Sequence, residues 1–247
     1  MSTISNSEIK LVRSLASKKG RRESGLFLVE GEKMVSEALD SDMKVRRVWR
    51  SSEIGEDTMA HISALTTPSP ALAVVEIPSG DSPVLSDTGL YLALDDIRDP
   101  GNMGTILRIA DWFGIDGVFA SGGCVDLYNP KTVQATMGAI FRVKFKTVDL
   151  CGLCKSVISQ GGSIYGTFLS GSNIYESRLQ DGSDSPVVIV IGNESEGISD
   201  EVAQCVSERI SIPPFPAGRH GSESLNAAVA TAITVAEFRR RAAGGAI

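Results

Sequence analysis

The chain has 247 residues, a net charge of −6 at pH 7 and a hydrophobic content of 42%, which suits a globular protein of one large or two small domains. No apolar run approaches the roughly 18–20 residues needed to cross a bilayer. The first residues lack the basic and apolar regions of a secretory signal, so a cytoplasmic protein with no membrane partner is expected.

Residues 5–19 are predicted to form an amphipathic helix, with Ile9, Val12 and Leu15 at helical spacing after a Ser5 or Asn6 cap. A short buried strand is expected at 26–29, a helix from Glu30-Gly31 to about Leu39, and a strand at 45–49. A weak helix near 56–65 precedes a strand at 71–75. Together these make a small α/β domain over residues 1–77. Residues 78–89 are rich in Pro, Gly, Ser and Asp and are read as a linker. From 90 to 247, strands are predicted at 90–95, 117–120, 143–148, 163–168, 187–191 and 209–212. Helices are predicted at about 102–113, 130–137, 151–160, 199–206 and 223–241. Near-continuous apolar runs such as Val187-Val188-Ile189-Val190-Ile191 suit parallel strands covered on both faces. The fold class is therefore α/β with a mostly parallel sheet.

Net acidity argues against a nucleic-acid partner, but the charge is unevenly spread. Residues 1–50 hold 11 Lys and Arg against 7 Asp and Glu. The basic residues are densest at Lys18, Lys19, Arg21 and Arg22, which are candidate RNA contacts or else a solvated helix end. Four cysteines are too few for a disulfide framework. Cys151-Gly152-Leu153-Cys154 could serve redox chemistry or half a zinc site, but no second pair of this spacing exists and His61 and His220 are distant in sequence. Structural thiols and no metal are the expectation.

Three segments have compositions ill-suited to plain packing, and each follows a predicted strand. They are Asn102-Met103-Gly104-Thr105-Ile106-Leu107-Arg108-Ile109-Ala110, Gly192-Asn193-Glu194-Ser195-Glu196-Gly197, and Ile212-Pro213 with Ser224-Leu225-Asn226. Ligands of open α/β sheets gather beyond the carboxyl ends of strands, so three such segments point to one site. Asn102 stands where it could cap a helix. Arg108 lies among apolar residues and needs either a carboxylate partner, with Asp95 and Asp96 as candidates, or a phosphate or ribose. Two acids make 192–197 a poor phosphate cradle and suit a ligand with cationic parts. Ser224 and Asn226 could also be plain caps of the last helix.

In order along the chain, these segments match N-x-G-x-x-x-R-x-A, G-x-E-x-x-G and I-P…S-L-N. The set resembles that of the SpoU (TrmH-like) RNA ribose 2′-O-methyltransferases of the SPOUT superfamily. The resemblance implies S-adenosylmethionine (SAM) as cofactor, a trefoil-knotted catalytic domain and a homodimer. It implies catalytic roles for Asn102, Arg108, Glu194, Ser224 and Asn226, and cofactor contacts from Gly192, Ile212 and Leu225. The N-terminal part resembles the L30e-like substrate-binding domain fused to many of these enzymes, which favours ribosomal over transfer RNA. The loop between Pro213 and Ser224 looks about four residues longer than the family's usual one, and Arg219 and His220 within it are further candidate RNA contacts.

Two other functions compete. A nicotinamide or flavin oxidoreductase would need G-x-G-x-x-G after a first strand, which neither Gly122-Gly123-Cys124 nor Gly192 to Gly197 supplies. A non-catalytic RNA-binding assembly factor would not need Asn102, Arg108, Glu194 and Asn226 together.

Overall fold

A computed structural model describes residues 4–78, 83–216 and 224–244. The chain divides into two compact units, one of Met1–Gly80 with Asp126–Arg142 and the other of Asp81–Val125 with Val143–Ile247.

The first unit opens with α1 (Asn6–Ser14), started by a capping box in which the Ser5 hydroxyl accepts from the Glu8 amide and the Glu8 carboxylate accepts from the Ser5 amide. The single helix expected over 5–19 is two helices. Ser17 adopts extended backbone and caps α2 (Lys18–Ser24) through the Gly20 amide, so the chain turns between Ser14 and Lys18. β1 (Leu26–Glu30), α3 (Glu32–Asp40), β2 (Val45–Arg50), α4 (Ser51–Ile54), α5 (Glu56–Ile62) and β3 (Ala71–Glu76) follow. The strands form an antiparallel sheet in the order β1-β3-β2. Val12, Leu15, Leu28, Trp49, Met59 and Leu72 pack together in one core on this sheet. Each large side chain so buried contributes about 1.5–3 kcal/mol relative to exposure.

The helix Pro130–Thr136 belongs to this same unit. Three side-chain contacts tie its segment down. Arg21 meets Asp126 at 2.6 Å, the Phe27 and Tyr128 rings lie 4.8 Å apart, and Arg142 bonds Glu37 at 2.9 Å.

The second unit holds β4 (Leu90–Leu94), α6 (Pro100–Trp112) and β5 (Gly117–Ala120). After the Pro130–Thr136 helix, α7 in chain order, come β6 (Phe145–Thr147), α8 (Leu150–Ser159), β7 (Ser163–Asn173), β8 (Val187–Ile191), α9 (Asp200–Ala203), β9 (Glu208–Ser211) and α10 (Ala227–Ala242). The six strands are parallel, in the order β6-β5-β4-β8-β7-β9. The central strands β4 and β8 are buried throughout, as their apolar runs require. The order reverses between β4 and β8, the kind of switch point at which α/β sheets open a ligand crevice.

α10 is fastened by its last turn. Arg239 donates to the Phe113 carbonyl at 2.8 Å, and Arg241 donates to the carbonyls of Ile174 and Tyr175 at 2.9 and 2.8 Å. Glu237, buried beside them, bonds Arg240 at 2.8 Å and Arg241 at 2.6 Å. The arginine run thus does more than complement the helix dipole. Among the described residues no helix is long and apolar enough to cross a membrane, and no group of three or more His, Cys, Asp or Glu is placed to hold a metal ion.

Candidate active site

The three polar segments come together at the carboxyl edge of the second unit's sheet. α6 begins after β4, the 192–197 loop follows β8, and α10 begins beyond β9. Asp99, not Asn102, caps α6: its carboxylate accepts from the Asn102 amide at 2.8 Å, with Pro100 in the first turn. The Asn102 side chain is thereby freed for long-range contacts. Its Nδ2 donates to the Glu194 carboxylate, and its Oδ1 accepts from Asn226 Nδ2 at 2.8 Å. Asn226 is itself the α10 cap, its Oδ1 accepting from the Ala228 and Val229 amides at 3.0 and 3.3 Å. One chain of hydrogen bonds, Asn226 to Asn102 to Glu194, therefore joins all three segments.

The 192–197 loop is rigid by construction. Asn193 and Gly197 exchange two main-chain hydrogen bonds of 2.9 Å. The Asn193 Oδ1 accepts from the Ser195 and Glu196 amides at 2.9 and 3.2 Å. Gly192 packs against Gly197 so closely that a Cβ there would lie 2.2 Å from the Gly197 carbonyl carbon, so only glycine fits. Two adjacent acids fasten the loop's ends. Asp95 accepts from the Ser199 amide at 2.8 Å, and the Asp96 carbonyl accepts from Asn193 Nδ2 at 2.9 Å.

Arg108 has neither carboxylate partner considered for it. Asp95 is taken by Ser199, and Asp96 pairs with Arg98 at 2.7 Å. Arg108 is exposed and makes no hydrogen bond or ion pair with any described residue. It stands on the face of α6 that also carries Trp112, which is 85% exposed. Ile212 is half-buried, and Ser224 and Leu225 are exposed. Arg219 and His220 lie outside the described residues.

The structure adds one element that the sequence reading missed. β7 pairs with β9 at Thr167 and again at Ser172, both opposite Ile210, so 168–171 leaves the ladder as an excursion. It sits at the same carboxyl edge and exposes Leu169 at 80%. Its only forewarning in the sequence is Gly171, whose Cβ would meet the Arg209 carbonyl oxygen at 2.8 Å. Asp99-Pro100 did carry a readable signal, a capping acid followed by proline at the first helical position.

Arg21 is corrected as an RNA contact. It is 3% exposed, and its guanidinium is spent on Asp126 and on the Leu15 and Ala16 carbonyls at 2.7 and 3.1 Å. Lys18, Lys19 and Arg22 are exposed. Cys154 is buried, which pushes its thiol up to about 12, and burial also raises Cys151. These thiols are poor nucleophiles at neutral pH.

The model of the SpoU rRNA Methylase family matches residues 89–236, more than half of the chain. The chain belongs to the SpoU family. An MRM3-like substrate binding domain matches residues 6–73. The 23S rRNA (guanosine(2553)-2′-O)-methyltransferase RlmP of Bacillus subtilis is 29% identical, over 95% of this chain and 96% of that protein. Among solved structures, a TrmH-family protein of Porphyromonas gingivalis superposes with a TM-score of 0.86 at 38% identity, covering 96% of this chain and 99% of that one. An AdoMet-bound rRNA methyltransferase of Sinorhizobium meliloti superposes at 0.81 with 28% identity, covering 97% of each. The two solved structures thus share this chain's α/β fold over nearly its whole length.

Proposed function

We propose that this SpoU protein methylates a ribose 2′-hydroxyl in ribosomal RNA with SAM as methyl donor. The observation that carries this reading is the Asn226–Asn102–Glu194 chain, which draws the three family segments into one polar site at the sheet's switch point. The RNA relatives named above support ribosomal RNA over transfer RNA. Cytoplasmic action suits a bacterial relative such as RlmP.

The edge residues fit SAM. The carboxylates of Glu194 and Glu196 suit its cationic sulfonium and amino groups, and the exposed apolar side chains of Leu225 and Leu169 suit its adenine. We assign cofactor contacts to Gly192, Ile212 and Leu225. Bound SAM supplies an electrophilic methyl group with a good leaving group already in place, so the protein's task is to position the reactants. Asn102 and Glu194 hold the floor of the site, with Asn226 fixing the amide orientation of Asn102. Ser224, exposed two residues before that cap, is assigned with Asn226 to the reaction centre. With SAM bound, the ribose oxygen would take the methyl carbon as the methyl–sulfur bond breaks and neutral S-adenosylhomocysteine leaves, and the hydroxyl proton would pass to water. Arg108 cannot accept it, because guanidinium stays protonated in proteins. Its role is to clamp a phosphate and to stabilise the developing alkoxide.

Arg108 lies six residues beyond Asn102, about 9 Å along the helix and about 120° around it. It therefore does not converge on Asn102 of its own chain. The exposed face it shares with Trp112, together with Val229 of α10 at 48% exposure, fits a homodimer in which each copy offers Arg108 to its partner's site. The non-sequential order β4-β8-β7-β9 is compatible with a trefoil knot in this unit. Residues 1–77, with 126–142 folded onto them, act as the RNA-binding domain and the rest of 90–247 as the methyltransferase domain, joined by 78–89, with Lys18, Lys19 and Arg22 meeting RNA.

The test is transfer of radiolabelled methyl from SAM to unmodified ribosomal RNA and, separately, to unmodified transfer RNA, with the 2′-O-methyl nucleoside identified after digestion. Label confined to ribosomal RNA is the expected result. Label confined to transfer RNA overturns the substrate assignment, and SAM binding without label in either pool points to a ribonucleoprotein substrate.

A further inference from the structure

Asp96 is a non-glycine residue with φ of +58°, a conformation that side chains tolerate at a cost. It sits on no family motif quoted above, yet three hydrogen bonds hold it in place. Its amide donates to the Ser121 hydroxyl at 3.0 Å, and that hydroxyl donates back to Asp96 Oδ1 at 3.2 Å. Arg98 grips the other carboxylate oxygen at 2.7 Å. Gly123 leaves room for the carboxylate, since a Cβ there would fall 1.8 Å from Asp96 Oδ1. The product of all this is one main-chain carbonyl, aimed at Asn193 Nδ2 at 2.9 Å.

Asn193 is where the rigid 192–197 loop meets the rest of the unit. Because that loop is closed on itself by the Asn193–Gly197 pair, its anchors, together with Asn102 on the Glu194 carboxylate, set where Glu194 stands. The anchor at its far end is the Asp95–Ser199 contact. Arg98 adds a weaker one, 3.7 Å from Glu196. Both of those side chains are more than half exposed, so this contact is screened and contributes little.

We infer that Asp96 is a positioning residue of the methyl-transfer site: its left-handed backbone, locked by Ser121 and Arg98, presents the carbonyl that seats the 192–197 loop and so sets cofactor affinity. It touches neither reactant. The inference rests on the assignment of that loop to the cofactor site, and on nothing in the RNA-binding unit.

Backbone conformation is the active ingredient, which makes a sharp comparison possible. Asparagine tolerates the left-handed region and β-branched residues do not. Asp96→Asn should keep the affinity for S-adenosylhomocysteine within about threefold of wild type, whereas Asp96→Val should weaken it about tenfold, the worth of one hydrogen bond of about 1.4 kcal/mol. The KM for RNA should move in neither variant. In the ligand-free protein, amide exchange at Gly197 should speed up in Asp96→Val and not in Asp96→Asn.

Unchanged S-adenosylhomocysteine affinity in a folded Asp96→Val protein overturns the inference, and so does equal loss in both variants. If Asp96→Val fails to fold, Asn193→Asp keeps the oxygen that accepts from the Ser195 and Glu196 amides and removes only the donor to the Asp96 carbonyl: full affinity there overturns the inference, and about tenfold loss supports it. Wild-type protein that binds no S-adenosylhomocysteine refutes the cofactor assignment instead, while the exchange experiment still reports whether Asp96 seats the loop.

Discussion

Asn226 donates a 2.8 Å hydrogen bond to Asn102 across 124 positions of sequence and caps the last helix with its other amide atom. Structure and site thus depend on different ends of one side chain, and they can be separated. Asp in place of Asn226 keeps the capping oxygen and loses the donor. Asn226→Asp should leave the melting temperature within about 2 °C of wild type, since Asp and Asn cap equally well. Methyl transfer should fall about 10- to 100-fold, because Asn102 cannot satisfy both its neighbours once a carboxylate replaces the donating amide. Asn226→Ala should lose about 1 kcal/mol of stability as well, by chemical denaturation. A fully active Asn226→Asp enzyme contradicts the role given to the chain of amides.

Arg108 stands apart from that chain, exposed on α6. Arg108→Ala should lower kcat about 10²- to 10³-fold, the range for loss of one preorganised donor to developing charge. Its S-adenosylhomocysteine affinity should stay within about threefold by calorimetry, an interval of about 0.6 kcal/mol. Parallel loss of turnover and cofactor affinity would place Arg108 in the cofactor pocket instead.

The basic helix α2 divides into two kinds of residue. Arg21→Ala strands Asp126, which is only 20% exposed, and should cost about 3 kcal/mol or more in urea unfolding. Lys18→Ala, Lys19→Ala and Arg22→Ala combined should leave stability within about 0.5 kcal/mol. That triple variant should weaken RNA binding and flatten its salt dependence by about 2 in log–log slope, at about 0.7 per phosphate contact. An unaltered slope removes these residues from the RNA surface.

Glu237 couples the last helix turn to acid stability. Bonds from Arg240 and then Arg241 hold its carboxyl down to about 2, against an ordinary 4.5. A depressed folded-state value means that the stabilisation is complete above about 4.5 and drains away as pH falls towards 2. Glu237→Gln should therefore be less stable than wild type at pH 7 and nearly equal to it near pH 2. Thermal melts from pH 7 down to 2 should show the two curves converging, and a constant gap would mean that Glu237 acts through packing alone.

Much of this architecture is legible in the residues themselves. Buried parallel strands show as unbroken apolar runs at β4 and β8, and the three motif segments are spaced as a strand-end site requires. What escapes the sequence is long-range and directional. Nothing near Asn102 says that Asp99 takes over its capping duty, or that its amide reaches Glu194 and Asn226. Arg21 reads like its neighbours Lys18 and Lys19, because its burial depends on an aspartate 105 residues away. The break between α1 and α2 turns on Ser17 preferring to cap rather than continue a helix, a choice that apolar spacing does not record. The excursion at 168–171 leaves only Gly171 as a trace in the sequence, since it is set by pairing with β9.

The attachment of 126–142 to the first unit has a consequence for the order in which the protein is made. As the chain emerges from the ribosome, residues 6–76 supply a sheet and its helices, but Phe27 still lacks Tyr128 against its ring, Arg21 still lacks Asp126, and Glu37 has Lys33 but not yet Arg142. β4, α6 and β5 must be synthesised before the first unit can close. The N-terminal unit is begun first and finished late, after β4, α6 and β5 of the second unit have already been made.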